Sequence, residues 1–251
     1  MLDAVVISDI HLGSENCQAR DLVHLLDAIR RGDLLTRRLI LNGDVFDSID
    51  FRRLCKHHWK VLSELRKLSD DIAITWINGN HDGPAEVVSH LLGVTCSNEI
   101  IVESGGRRIL FLHGHHFDEF ITRYPLITFV ADRFYNLLQR IDTSHAFARF
   151  AKRRSKTFLR CAEKIERDAR TYAARRGCDA VCCGHTHHAT EKRDGDVHYF
   201  NSGCWTEKPC TYLTVQDGEV ELHAWAAFAD TILEDRVNPV HEPPKYNTSM
   251  H

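Results

Sequence analysis

The sequence predicts a layered α/β or α+β fold, and three observations predict it. Short apolar runs alternate with longer amphipathic ones; turn residues punctuate the boundaries; and 251 residues are enough for one sizeable core. Leu2 to Ile7 reads as a buried strand, and Gln18 to Arg31 as a helix with Leu22, Leu25, Leu26 and Ile29 on one face. Leu39–Leu41 is a short strand, followed by a helix across roughly 51–68 and a strand at Ile72 to Ile77. Ile100 to Glu103 and Arg107 to Leu112 pair as a hairpin around Ser104-Gly105-Gly106. Asp179 to Cys183 is a further apolar run. Val197 to Asn201, Thr211 to Val215 and Glu219 to Trp225 are the last strands.

Between Phe117 and Arg176 the texture changes to helical spacing rich in Arg and Lys. Phe129, Phe134, Leu137, Leu138 and Ile141 suit one helix, and Phe147, Phe150, Phe158, Leu159 and Ile165 the next. The whole chain, 1–251, reads as one domain with a helical insertion, a cap, at about 117–176. The tail after Asn238, with Pro239, Pro243 and Pro244, reads as loosely ordered.

Composition narrows the function. A formal charge of -3 argues against a chain that binds nucleic acid by bulk electrostatics, and no nucleic-acid partner is expected. The first residues lack a basic leader and nothing approaches the roughly 18 apolar residues of a membrane span, so a cytoplasmic location is expected. Nine Cys without a CxxC pair read as reduced thiols rather than disulfides or zinc ligands. Seventeen His, many in short clusters, make a metal site worth seeking.

The clusters fall directly after predicted strands, where loops converge in layered folds. Asp9-Ile10-His11 offers a carboxylate and an imidazole two residues apart, although Asp after a strand also serves as a helix N-cap. In Gly43-Asp44-Val45-Phe46-Asp47, glycine permits a tight turn that presents Asp44, whose two oxygens suit bridging two cations; Asp47 reads as a brace. In Gly79-Asn80-His81-Asp82, Asn80 supplies a neutral oxygen and His81 projects toward substrate, with Asp82 holding that imidazole in one tautomer. In His113-Gly114-His115-His116, either His113 or His115 could be a ligand. His113 is preferred because it is nearest the strand end, and His115 is then a pocket residue for substrate. Gly184-His185-Thr186-His187 places two imidazoles at i and i+2 of an extended segment, one for each ion.

Taken together, Asp9-x-His11, Gly43-Asp44-x-x-Asp47, Gly79-Asn80-His81-Asp82, His113-Gly114 and Gly184-His185-x-His187 resemble the calcineurin-like metallophosphoesterases. The resemblance implies a four-layer sandwich of two mixed β-sheets flanked by helices. It implies that Asp9, His11, Asp44 and His187 hold one divalent ion and that Asp44, Asn80, His113 and His185 hold the other. His81 and Asp82 are then the catalytic pair. Carboxylate, amide and imidazole donors suit Mn, with Fe or Zn as alternatives.

Within the family the chain is most similar to the UDP-2,3-diacylglucosamine pyrophosphohydrolases of lipid A synthesis and their relatives. Its length, its helical insertion and Asn201-Ser202-Gly203-Cys204-Trp205 carry that likeness. The resemblance implies hydrolysis of that nucleotide-linked glycolipid to UMP and the acylated sugar phosphate. The alternatives are a phosphodiesterase or phosphatase for small soluble substrates, and a scaffold without catalysis. Lys152, Arg153, Arg154 and Lys156, with Arg123, would meet the diphosphate, and the cap could rest peripherally on the inner membrane surface.

Overall fold

The computed structural model describes residues 1–83, 85–118 and 156–226. Eleven strands form two sheets. The first has the order β11-β10-β1-β2-β3-β4, and the second β5-β6-β7-β9-β8. In the first, β1 (Ala4–Ile7), β2 (Arg38–Asn42), β3 (Ala73–Ile77) and β4 (Thr95–Ser97) run parallel, β10 (Cys210–Gln216) adds antiparallel to β1, and β11 (Glu219–Trp225) adds antiparallel to β10. In the second, β6 (Arg107–Leu112), β7 (Ala180–Cys183) and β9 (His198–Asn201) are parallel, with β5 (Glu99–Ser104) and β8 (Thr190–Lys192) antiparallel at the edges.

The two-residue period of the strands sorts their side chains between layers. Ala4 and Val6 of β1 meet Ile109 and Phe111 of β6 and Ala180 and Cys182 of β7 in the space between the sheets. Val5 and Ile7 point the other way, onto α1 (Ala19–Arg31) and α2 (Lys56–Leu68), where Leu22, Leu25, Val61 and Leu65 complete a second core. Leu110, Leu112, Val181 and Cys183 face a third core with Ala169 and Ala173 of α4 (Lys156–Arg175). The result is helices, sheet, sheet, helix, the four layers that the motifs imply. Strands covered on both faces read as continuous apolar runs because neither face meets water.

Three elements escape a reading by pattern. The helix α3 (Ala85–Leu92) is only eight residues long and carries two adjacent Val, while β4 and β8 are three-residue edge strands with polar side chains. The helix expected from 51 is two pieces. A 3-10 turn at Phe51–Arg53, capped by the Asp50 side chain, is followed by extended Cys55 before α2 begins. The expected insertion divides as well. Its last part, α4, buries Ile165, Ala169 and Ala173 against the second sheet. The helix expected around 129–141, the residues Arg123, Lys152, Arg153 and Arg154, and the tail after 238 lie outside the described residues, and Lys156 is the first residue of α4. All nine Cys are free, and among the described residues no helix is long and apolar enough to cross a membrane.

Candidate metal centre

Parallel strands bring their carboxyl ends to one edge of a sheet, and two stacked sheets can bring two such edges together. Here β1, β2 and β3 deliver Asp9, Asp44 and Asn80, while β6 and β7 deliver His113, His185 and His187. The loops are joined by backbone bonds. Asp9 N–H donates to Gly43 C=O at 3.0 Å, His11 N–H to Asp44 C=O at 3.0 Å, and Gly184 N–H to His113 C=O at 3.1 Å. Buried Asn42 ties the sheets, its amide donating to the carbonyls of Leu112 and Cys182 at 3.2 Å each.

Glycines allow the close approach. A Cβ at Gly43 would collide with the His113 ring, and one at Gly79 with Asp44. The backbone is strained where the candidate ligands sit. Asp9, His11, Asp44, His185 and His187 all have φ between 52° and 66°, and Asp217 is the only other described non-glycine residue with positive φ. Such conformations cost of order 1–3 kcal/mol each and persist where surrounding structure and function require them. The GHTH segment is therefore bent rather than extended as the i, i+2 reading expected, because left-handed His185 and His187 turn the chain twice. Its two imidazoles nevertheless serve separate clusters.

One cluster is Asp9, His11 and His187; another is Asp44, His113 and His185. In the first, His187 Nε2 lies 3.2 Å from both Asp9 Oδ1 and His11 Nε2. In the second, His113 Nε2 lies 3.3 Å from Asp44 Oδ2, and His185 Nδ1 lies 3.1 Å from Asn80 Oδ1. Asp44 Oδ2 also lies 3.7 Å from His11 Nε2, so this one oxygen stands between the clusters. The other oxygen, Oδ1, accepts the His81 N–H at 2.9 Å. Donors bound at about 2.1 Å around a common ion are separated by roughly 3.0–3.4 Å, and most of these spacings match that range.

The tautomer of His113 supports the same fit. Its Nδ1 is 2.9 Å from the Asn42 carbonyl, which can only accept, so Nδ1 carries the hydrogen and the neutral ring turns the Nε2 lone pair on Asp44. That Nε2 is buried and has no hydrogen-bond partner, and the same holds for His11 Nδ1. A lone pair facing a carboxylate calls for a cation or a proton. In the metal-free protein the charges respond accordingly. Burial works against charge on His113, yet Asp44 pushes its imidazole up to about 10. Burial likewise opposes ionisation of Asp9, but the charge and hydrogen bond of His187 bring it down to about 2. Asp44 is held well below the carboxylate range, against burial, by His113 and His11.

His81 lies beside this centre, its ring 5.0 Å from that of His11 and its Nδ1 3.2 Å from the Asp47 carbonyl. Asp47 faces His11 Nδ1 at 3.5 Å and pairs with Arg53, so the brace acts on an imidazole as well as on a loop. His11, Asp47 and His81 form a third group of potential donors. Asp82 corrects the sequence expectation. It does not hold the His81 ring; its carboxylate is buried and accepts the backbone N–H groups of Asp44, Val45, Phe46 and Gly79 and the indole N–H of Trp76. Five donors converging on one carboxylate anchor two ligand loops together. His115 is half-buried with its ring 5.4 Å from that of His113, and burial followed by the His113 charge pushes its imidazole down to about 3. Asp118, which no strand-end motif marks, reaches the site through His185 Nε2 at 3.0 Å.

Three solved structures similar to this chain share low identity with it. An archaeal phosphodiesterase is 15% identical over 88% of this chain and 98% of its own, with a TM-score of 0.49. Yfce, a phosphoesterase from E. coli, is 16% identical over 89% and 99%, with a TM-score of 0.48. A predicted phosphoesterase from Streptococcus pneumoniae TIGR4 is 17% identical over 89% of each chain, with a TM-score of 0.42. No curated protein matches the chain. The family model for the calcineurin-like phosphoesterases matches residues 3–189, the span that holds every candidate ligand. The chain therefore belongs to the calcineurin-like phosphoesterase family and is a hydrolase acting on phosphoester bonds.

Proposed function

We propose that this chain hydrolyses phosphoesters with two divalent ions, one held by Asp9, His11 and His187 and the other by Asn80, His113 and His185, with Asp44 shared. The observation that carries this reading is the buried, unpartnered Nε2 of His113 aimed at Asp44 Oδ2, the oxygen that also faces His11. Ions bound there would polarise the phosphoryl oxygens and lower the pKa of water. The chain's own groups do the rest. The His81 N–H keeps Asp44 oriented, and the Asp47 carbonyl receives the ring Nδ1–H. When the His81 ring is protonated, its Nε2–H would give its proton to the leaving oxygen. Protein stripped with a chelator is expected to lose hydrolysis of bis-p-nitrophenyl phosphate and to regain it with Mn(II). Activity that survives removal of all metal refutes the reading.

The narrower reading is a pyrophosphohydrolase of UDP-2,3-diacylglucosamine. It rests on the likeness in Asn201–Trp205, a segment that lies directly against the site: Trp205 N–H donates to Asp9 C=O at 3.0 Å, and the Asn201 amide to Gly184 C=O at 2.6 Å. In this reading Arg123, Lys152, Arg153, Arg154 and Lys156 meet the diphosphate, His115 lines the pocket, and the substrate's acyl chains bring the protein to the inner membrane surface. Release of UMP from that substrate, measured beside bis-p-nitrophenyl phosphate, separates it from a phosphodiesterase of small soluble substrates. A turnover confined to the small ester refutes the narrower reading alone.

A further inference from the structure

We propose that Asp118 is a positioning residue for the second metal position, acting through His185. The inference rests on the two-ion reading above and deepens it. The Asp118 Oδ2 lies 3.0 Å from His185 Nε2, at a place where both side chains are mostly screened from water. A carboxylate accepts hydrogen bonds, so this contact settles the hydrogen on Nε2 and leaves the Nδ1 lone pair of the neutral ring toward Asn80 Oδ1, 3.1 Å away. Two acceptor atoms facing each other at that spacing are a stable arrangement when a cation lies between their lone pairs. His113 obtains the opposite tautomer by the same logic, with a backbone carbonyl on Nδ1 and Nε2 toward the site. Each imidazole of the second position is thus aimed by an acceptor behind it, a carbonyl in one case and a carboxylate in the other.

The structure also fixes where this carboxylate stands. His115–Phe117 forms one 3-10 turn closed by the Asp118 N–H on the His115 carbonyl at 3.1 Å. Phe117 packs against Tyr172 of α4, whose hydroxyl donates to Glu99 of β5 at 2.9 Å. The outer helix and the edge strand therefore brace the turn, and the turn presents Asp118 to His185. Nothing in the motif Gly184-His185-x-His187 reveals this partner, because it comes from a different sheet strand's loop 67 residues away.

The test is a titration of the metal-free full chain with Mn(II), comparing wild type, Asp118→Ala and Asp118→Asn by calorimetry, with thermal melting of each. Wild type is expected to bind two ions. Asp118→Ala is expected to keep the first ion and to lose about 10–100-fold in affinity for the second. Asp118→Asn, which retains an oxygen acceptor, is expected to fall between. In zinc-loaded wild type, 15N NMR of the His rings is expected to place the His185 hydrogen on Nε2. Unchanged affinity for both ions in Asp118→Ala, equal weakening of both, or an unfolded Asp118→Asn overturns the positioning role. A wild type that binds no second ion overturns the two-ion reading itself, whatever the variants do.

Discussion

Asp82→Asn separates a structural anchor from a catalytic accessory in a single substitution. The Asp82 Oδ1 accepts Val45 N–H at 2.7 Å and Phe46 N–H at 3.1 Å, while Oδ2 accepts Asp44 N–H at 2.9 Å, Gly79 N–H at 2.8 Å and Trp76 Nε1–H at 3.1 Å. An amide in the same space must present its NH2 to one of these groups. Whichever way it lies, at least two buried donors lose their acceptor, at about 1–3 kcal/mol each, for a loss of roughly 2–6 kcal/mol. Burial, followed by the Asp44 charge, raises the Asp82 carboxyl above its ordinary range. The loss therefore comes from orphaned donors, not from charge. A typical domain has about 5–15 kcal/mol of stability in all, so the deficit is large. The assay is urea unfolding of metal-free protein, followed by Mn(II) titration of the fraction that folds. Metal affinity is expected to fall too, because the lost bonds orient the backbone of Asp44 and of Gly79 beside Asn80. A destabilisation below about 1 kcal/mol would refute this reasoning.

His81→Ala removes the imidazole but keeps the backbone N–H that Asp44 accepts, so turnover is expected to fall by about 10²–10⁴-fold while both ions remain bound in elemental analysis; loss of metal would make His81 structural. Gly43→Ala would drive a methyl group into the His113 ring at a backbone φ of 90°, with an expected loss of about 1–3 kcal/mol or more and a weakened second ion, read by thermal melting and Mn(II) titration. Wild-type stability and Mn(II) affinity in that variant would show that the loop yields freely. The pH dependence of the metal-free protein follows from His113, whose folded value of about 10 lies above the ordinary 6.5. Its contribution is fully present below about pH 6.5 and is lost as pH rises through about 10, so the midpoint of chelator-treated protein is expected to fall across that window. In Mn-loaded protein the ion replaces the proton and that fall should vanish; an equally steep decline in both forms would refute the assignment.

Much of this protein was legible in its residue order. Strand ends at Ile7, Asn42 and Leu112 are betrayed by apolar runs that stop at Ser8, Asn42 and His113, and the helix Ala19–Arg31 by Leu22, Leu25, Leu26 and Ile29 on one face. The candidate ligands are legible for the same reason: short motifs follow those stops, and polar groups at strand ends have little structural reason to be His and Asp together. What sequence could not supply is pairing in space. The Asp82 carboxylate has the same neighbours in sequence whether it faces His81 or five N–H groups, and only the fold, by folding the Asp44 loop over Gly79, decides between them. Asp118 and Asn42 are unremarkable letters until β7 pairs with β6 and gives one an imidazole, and the second sheet stacks on the first and gives the other two carbonyls. The left-handed backbone at five candidate ligands was equally invisible, since Asp and His state no preference strong enough to announce it. Local chemistry is written along the chain because side-chain type and period are local quantities. Which lone pair faces which is a matter of long-range contact, and hydrogen bonds of a few ångströms between residues tens of positions apart exist only once the layers have closed.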